Sequence, residues 1–194
     1  MRNKTNRTVS IKIAALIAAI VLVIGCAAGG TVAWLVSKPD AIVNTFTIGD
    51  INATLTETKR EFKIVPGVDI VKDPVATVKA KSEDCYLFVQ LTEANWPTFT
   101  EKGSNTRKVK YEIADGWTEL EGQHGVYYRV VPKNDAQDQT FHVLKDDQVT
   151  VSNTLTKENA DAIAGTPKLT VAVYAVQQVG MDSPADAWKT AQAN

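Results

Sequence analysis

The sequence predicts an all-β protein: a jelly-roll-like antiparallel β-sandwich with one or two short peripheral helices, preceded by an N-terminal hydrophobic signal helix. Three observations carry that expectation. From Ala41 onward, apolar residues recur with period two rather than 3.6. The alternating runs are short and rich in Val, Ile, Thr, Tyr and Phe. Turn-forming pairs separate them: Pro66-Gly67, Asp73-Pro74, Lys102-Gly-Ser-Asn105, Asp115-Gly116 and Pro132-Lys-Asn-Asp135.

The elements follow in order. In Ile51–Thr56, Ile51, Ala53 and Leu55 alternate with polar residues, as in a half-buried strand. Further strands are expected at Val75–Lys81, Cys85–Glu93, Val109–Ile113, Val126–Val131, Thr140–Leu144, Gln148–Asn153 and Leu169–Gln178. Leu169–Val176 is apolar on both faces, which places it centrally beneath another layer. Thr156 is positioned to cap a helix over Lys157–Ala164, ended by Gly165 and Pro167. Ser183-Pro-Ala-Asp186 reads as an N-cap, a proline at N1 and an acid at N3, opening a helix through Gln192.

The N-terminus differs in kind from this body. Arg2, Lys4, Arg7 and Lys12 all precede the first acidic residue, Asp40, and no charge occurs between Ile13 and Ser37. A basic start followed by an apolar run is the pattern of an export signal. Thr31-Val32-Ala33 puts small residues at −3 and −1 of a cut before Trp34. Two alternatives stay open. The stretch is long enough to remain as a membrane anchor through residues 13–36, since a span needs roughly 20 residues. Val23-Ile24-Gly25-Cys26 also fits a loose lipobox, in which Cys26 would be acylated. Cleavage divides the chain into a signal peptide, 1–33, a segment 34–49 and a sandwich domain, 50–194. The mature chain then holds 17 basic and 22 acidic residues, a net charge of −5. Nucleic acid is excluded as the expected partner, because phosphate binding needs a concentrated basic surface.

Two cysteines occur, Cys26 and Cys85. With Cys26 removed, Cys85 has no intramolecular partner. Alternation groups Cys85 with Leu87, Val89 and Leu91, so it reads as a small core residue; an intermolecular bridge is the alternative.

At Gly29-Gly-Thr-Val-Ala-Trp34, Asn44-Thr-Phe-Thr-Ile-Gly49 and Ile51-Asn-Ala-Thr-Leu-Thr-Glu57, the chain resembles the start of TasA/camelysin-type exported proteins. The resemblance continues through Val65–Val75 and Asp84–Leu91, and near the end through Ala172–Gln177 and Ala185–Trp188. It covers little of Ala94–Leu155. It implies a Gram-positive secreted protein, released after Ala33 by a SipW-type signal peptidase and acting at the cell surface or in a biofilm matrix. It further implies self-association or association with related matrix subunits, with Trp34–Gly49 donated as a strand to a neighbour. Ile42, Phe46 and Ile48 are the candidate assembly residues, sharing one strand face suited to β-augmentation. The competing reading pairs Ala41–Thr47 within its own sheet as the first strand.

Camelysin-type members carry a metallopeptidase label, which the residues do not support. A zincin needs two histidines one helical turn apart with a glutamate between them. This chain has only His124 and His142, and His142 alternates with Phe141 and Val143 as an outer-face strand residue. Asp135, Asp138, Asp146 and Asp147 lack the spacing of a calcium loop and read as a solvated rim. No nucleophile elbow, phosphate loop or dinucleotide fingerprint occurs, so no catalytic, cofactor-binding or metal residue is expected and the chain is read as a non-enzyme. Trp96, Trp117 and Tyr127-Tyr128 supply a second functional reading. Loop-borne aromatics can stack on sugar rings, making an anchored or lipidated surface module for a glycan or host partner.

Overall fold

The computed structural model describes residues 36–37, 44–48, 50–58, 62–101, 103–156, 158–159 and 167–193. The signal segment, Cys26, the Ala33/Trp34 junction and Ile42 lie outside the described residues. So does most of the expected helix over Lys157–Ala164, although the Asn159 N–H donates to Thr156 Oγ1 at 3.3 Å, as an N-cap requires.

The described chain contains β1 (Val36–Ser37), β2 (Asn44–Ile48), β3 (Ala53–Thr56), β4 (Phe62–Lys63), β5 (Ile70–Val71), β6 (Val75–Val78) and β7 (Cys85–Ala94). It continues with β8 (Val109–Ile113), β9 (Thr118–Glu119), β10 (Val126–Val131), β11 (Gln139–His142), β12 (Leu144–Val151), β13 (Lys168–Gln177) and α1 (Pro184–Gln192). The main sheet runs β2-β13-β7-β10-β9, antiparallel except where β2 joins β13 in parallel. A small ladder joins β1 to β4.

Two three-stranded arrays, β11-β6-β3 and β5-β12-β8, form the second layer. They are continuous, because β5 runs into β6 and β11 into β12. The Lys72 N–H donates to the Asp147 carbonyl at 2.8 Å and the Val143 N–H to the Pro74 carbonyl at 3.0 Å, bridging the gap. Asp146 and Asp147 take φ of 54° and 53° there, forming the bulge that shifts the register of β12 on β8. Thus Thr140–Leu144 and Gln148–Asn153, expected as two strands, meet at Leu144 in a nearly unbroken run. The bulge, not a loop, separates their registers.

Both faces of the main sheet are buried, for different reasons. Leu87, Val89, Val171, Val173 and Ala175 turn to the sandwich interior with Ala53, Leu55, Ala76, Val78 and Val149, all buried. The opposite face presents Tyr86, Phe88, Val126 and Val176, which α1 covers with Ala187, Trp188 and Ala191. Trp188 packs 5.3 Å from Phe88 and 5.0 Å from Tyr174 between ring centroids. The central place of β13 follows: it lies between β2 and β7 and is enclosed above and below. Ser183 caps α1 by accepting from the Asp186 N–H, with Pro184 opening the helix.

Candidate functional site

Two regions hold the residues that bear on function. The first is the edge made by β2. Its ladder sets Asn44 opposite Ala172, Phe46 opposite Tyr174 and Ile48 opposite Val176. Phe46 and Ile48 therefore occupy register positions beside the row of β13 that meets α1. β13 is the only sheet neighbour of β2 among the described residues. The chain after it crosses to the other layer at a pinned corner. The Glu83 N–H donates to the Asp50 carbonyl (3.2 Å), the Lys79 N–H to the Asn52 carbonyl (2.8 Å), and the Asn52 N–H to buried Ser82 Oγ (3.1 Å). The sandwich is thus fastened from Asp50 onward, while β2 is held by one parallel ladder, the weaker kind of pairing per residue. Asn44–Ile48 pairs within its own sheet, while residues 41–43 of the competing reading lie outside the described residues.

The second region is the open seam between β8 and the β9–β10 hairpin. Leu91, Glu93, Arg107, Tyr111, Glu119, His124, Gly125 and Tyr127 line a groove of about 340 Å³ there. Glu93 organises one end: both its oxygens take Arg107 guanidinium bonds, at 2.9 and 2.8 Å, and the Tyr111 hydroxyl donates to it at 3.0 Å. Burial and then the Glu93 charge push the Tyr111 phenol well above its usual range; burial and then Glu119 raise Tyr127. Gly125 has φ of 75°, and a Cβ there would meet the Leu91 carbonyl oxygen at 2.6 Å, so the hairpin approaches β7 only through glycine.

One strand step along β10, Arg129 shares the inward face of Tyr127. Its guanidinium lies 3.9 Å from the centroid of Phe141 and 5.2 Å from that of Trp117. The Trp117 indole donates to the His142 carbonyl at 2.8 Å, which fixes its ring edge-on to Phe141 at 6.5 Å. Burial lowers the Arg129 pKa.

The aromatic residues singled out in the sequence separate accordingly. Trp96 is a core residue, 7% exposed, bonding the Val109 carbonyl and packing edge-to-face on Tyr111. It lies beside a proline, but its ring turns inward; the loop-borne surface reading of Trp96 is therefore corrected. Tyr128 packs on the helix-covered face, Tyr127 lines the groove and Trp117 is half-buried in the seam. Arg129 and the Glu93–Arg107 fork escaped the sequence reading. The available signal was alternation, which puts Tyr127 and Arg129 on the same side as buried Val131.

His124 is fully exposed in the β9–β10 turn, and the His142 side chain is 59% exposed, its Nδ1 2.8 Å from Asp147. The structure does not bring the two histidines together into a ligand set, and no group of three potential ligands could hold a metal among the described residues. Asp138 is tied to Lys79 and the Ala80 N–H, which hold its carboxyl below its usual range. Cys85 is fully buried. No helix among the described residues is long and apolar enough to cross a membrane.

Nothing matches this chain in comparison with models of protein families, with curated proteins or with solved structures.

Proposed function

We propose that the chain is an exported, non-enzymatic cell-surface or biofilm-matrix protein of the TasA/camelysin type that assembles through its N-terminal strand. One observation carries this reading: among the described residues β2 is a parallel edge strand, joined only to β13 and lying just before the corner pinned at Asp50. Such a strand can be exchanged at little cost, since the same ladder and apolar row re-form with a strand from another copy. Cleavage between Ala33 and Trp34 by a SipW-type signal peptidase would free the segment. Acylation at Cys26 or retention of residues 13–36 in the membrane would instead tether it.

Mass spectrometry of the mature N-terminus distinguishes these fates, with a start at Trp34 expected. Mature protein should then form elongated assemblies, and deletion of 34–49 should leave a folded domain that does not. A mature protein that stays monomeric at high concentration, at both neutral and acidic pH, contradicts the assembly reading.

A second reading, a surface module that binds glycan, is favoured by the aromatic seam of Tyr111, Tyr127, Trp117 and Phe141. Trp96 no longer contributes to it.

A further inference from the structure

We propose that Arg129, framed by Trp117 and Phe141, is a subsite for the carboxylate of an acidic sugar. The inference deepens the glycan reading and is independent of strand exchange.

A guanidinium offers five N–H donors in a planar fork. Among the described residues no hydrogen bond or ion pair engages those of Arg129; its contacts are the faces of Phe141 and Trp117. Arg107, whose side chain is 33% exposed, has the bidentate carboxylate that such a side chain ordinarily finds. The rings orient the Arg129 fork but cannot accept its in-plane protons. The fork lies against the turn at Gly116, whose φ is 85°: a Cβ there would fall 2.7 Å from Nη2 and displace it. A guanidinium partly stripped of water, fixed in orientation and left without an acceptor is arranged for a planar anion.

Three features narrow the anion to a uronic acid. A carboxylate matches the fork in both plane and spacing. Trp117 and Phe141 beside it, and Tyr127 one strand step away, supply apolar ring surface suited to the C–H faces of pyranose units. The adjoining groove of about 340 Å³ carries Glu119, Glu93 and the Tyr111 and Tyr127 hydroxyls, which can accept from or donate to sugar hydroxyls. The mature body's net charge of −5 disfavours dense polyanions, whose closely spaced charges would meet repulsion away from Arg129.

The test is titration of the purified protein with a tetrasaccharide bearing a single uronic acid, with cellotetraose and with polyglutamate, followed by isothermal calorimetry and by intrinsic tryptophan fluorescence. Selective binding of the uronate tetrasaccharide is expected, weakened about tenfold or more by Arg129→Gln and partly retained by Arg129→Lys, which keeps the charge without the fork. Circular dichroism of both variants separates lost recognition from lost folding, and Arg129→Lys serves alone should Arg129→Gln fail to fold. Equal binding of cellotetraose overturns the carboxylate subsite while leaving the glycan reading standing. Binding of polyglutamate as tight as that of the uronate assigns the site to acidic peptides and overturns the proposal. No uronate binding, or binding indifferent to Arg129, also overturns it.

Discussion

Lys72 Nζ lies 2.6 Å from Glu57 Oε1, and the two side chains are only 1% and 4% exposed. Glu57 follows β3 on the inward side shared by Ala53 and Leu55, and Lys72 sits where β5 gives way to β6. The pair therefore ties two neighbouring strands inside the sandwich, at the level of the β12 bulge. Removing two charges from water costs several kcal/mol per ion, and their attraction repays this only while both are present. Lys72→Met or Glu57→Gln alone should cost about 3–5 kcal/mol, because each strands a buried polar partner. Replacing both by apolar residues of similar size should recover most of that loss. Urea unfolding, with the midpoint compared at constant slope, measures each term. A single variant as stable as the parent would show that the pair does not hold this junction.

Burial first, and the neighbouring Asp84 carboxylate second, push the Cys85 thiol up to about 12. The folded protein therefore keeps the proton that an unfolded chain releases near 9.0. The sign follows by linkage: the contribution is complete below pH 9 and is lost as pH rises from there toward 12. Native protein should resist iodoacetamide at pH 8 and label fully in denaturant, because the thiolate is the reactive species. Rapid labelling of the native form, or a reducible dimer through Cys85, would contradict its enclosed position.

How legible the fold was depended on how local each signal is. β7 and β13 announced themselves because apolar runs such as Cys85-Tyr-Leu-Phe-Val89 are buried on both faces, and such runs are unambiguous in a layered protein. The Ser183 cap was equally plain, since its geometry involves only four consecutive residues. β5 was missed because Lys72-Asp73-Pro74 interrupts the alternation after Val71, and a lysine in a strand reads as solvent-facing until its partner is known. That partner, Glu57, is on another strand, so only tertiary structure reveals the burial. The parallel pairing of β2 is harder still, because β13 is its partner from the opposite end of the chain. Of the two functional regions, the N-terminal segment stood out by its sequence; the seam did not. Arg129, Trp117 and Phe141 come from three separate elements, and only the closure of the sandwich stacks them. The bulge at Asp146 and Asp147 likewise left no periodic trace, since it is a break in register rather than a pattern.

The cap of α1 gives a pH-dependent prediction. The Ser183 hydroxyl donates to Asp186 Oδ2 at 2.7 Å and accepts the Asp186 N–H at 3.2 Å, while Lys189 reaches the other carboxylate oxygen at 3.1 Å. The serine hydroxyl first, and then Lys189, hold the Asp186 carboxyl below its usual 3.8. A depressed carboxyl stabilises the fold above its unfolded pKa, and that contribution disappears as pH falls below 3.8 through the folded value. Ser183→Ala should lower stability by about 1 kcal/mol at neutral pH, the ordinary worth of an N-cap. It should also raise the Asp186 pKa toward 3.8, which NMR titration of the side-chain carboxyl resonance would follow. An unchanged titration in the variant would sever the carboxyl from its cap.

Trp188 tests whether the helix is a structural layer or an ornament on the sheet. Its ring is 4% exposed and wedged between Phe88 and Tyr174, with Ala187 and Ala191 completing the helix face. The helix has nine residues, too few to persist without such packing. Trp188→Ala should therefore cost about 3–5 kcal/mol. It should release α1 as a unit, uncovering Tyr86, Phe88 and Val176. Hydrogen exchange would show this as lost protection in Pro184–Gln192 ahead of β7 and β13, because the sandwich interior on the sheet's other face is untouched. Trp188→Phe, which keeps ring contact, should lose much less. If the alanine variant instead left α1 protected, the apolar face of the sheet would be held shut by contacts other than this ring.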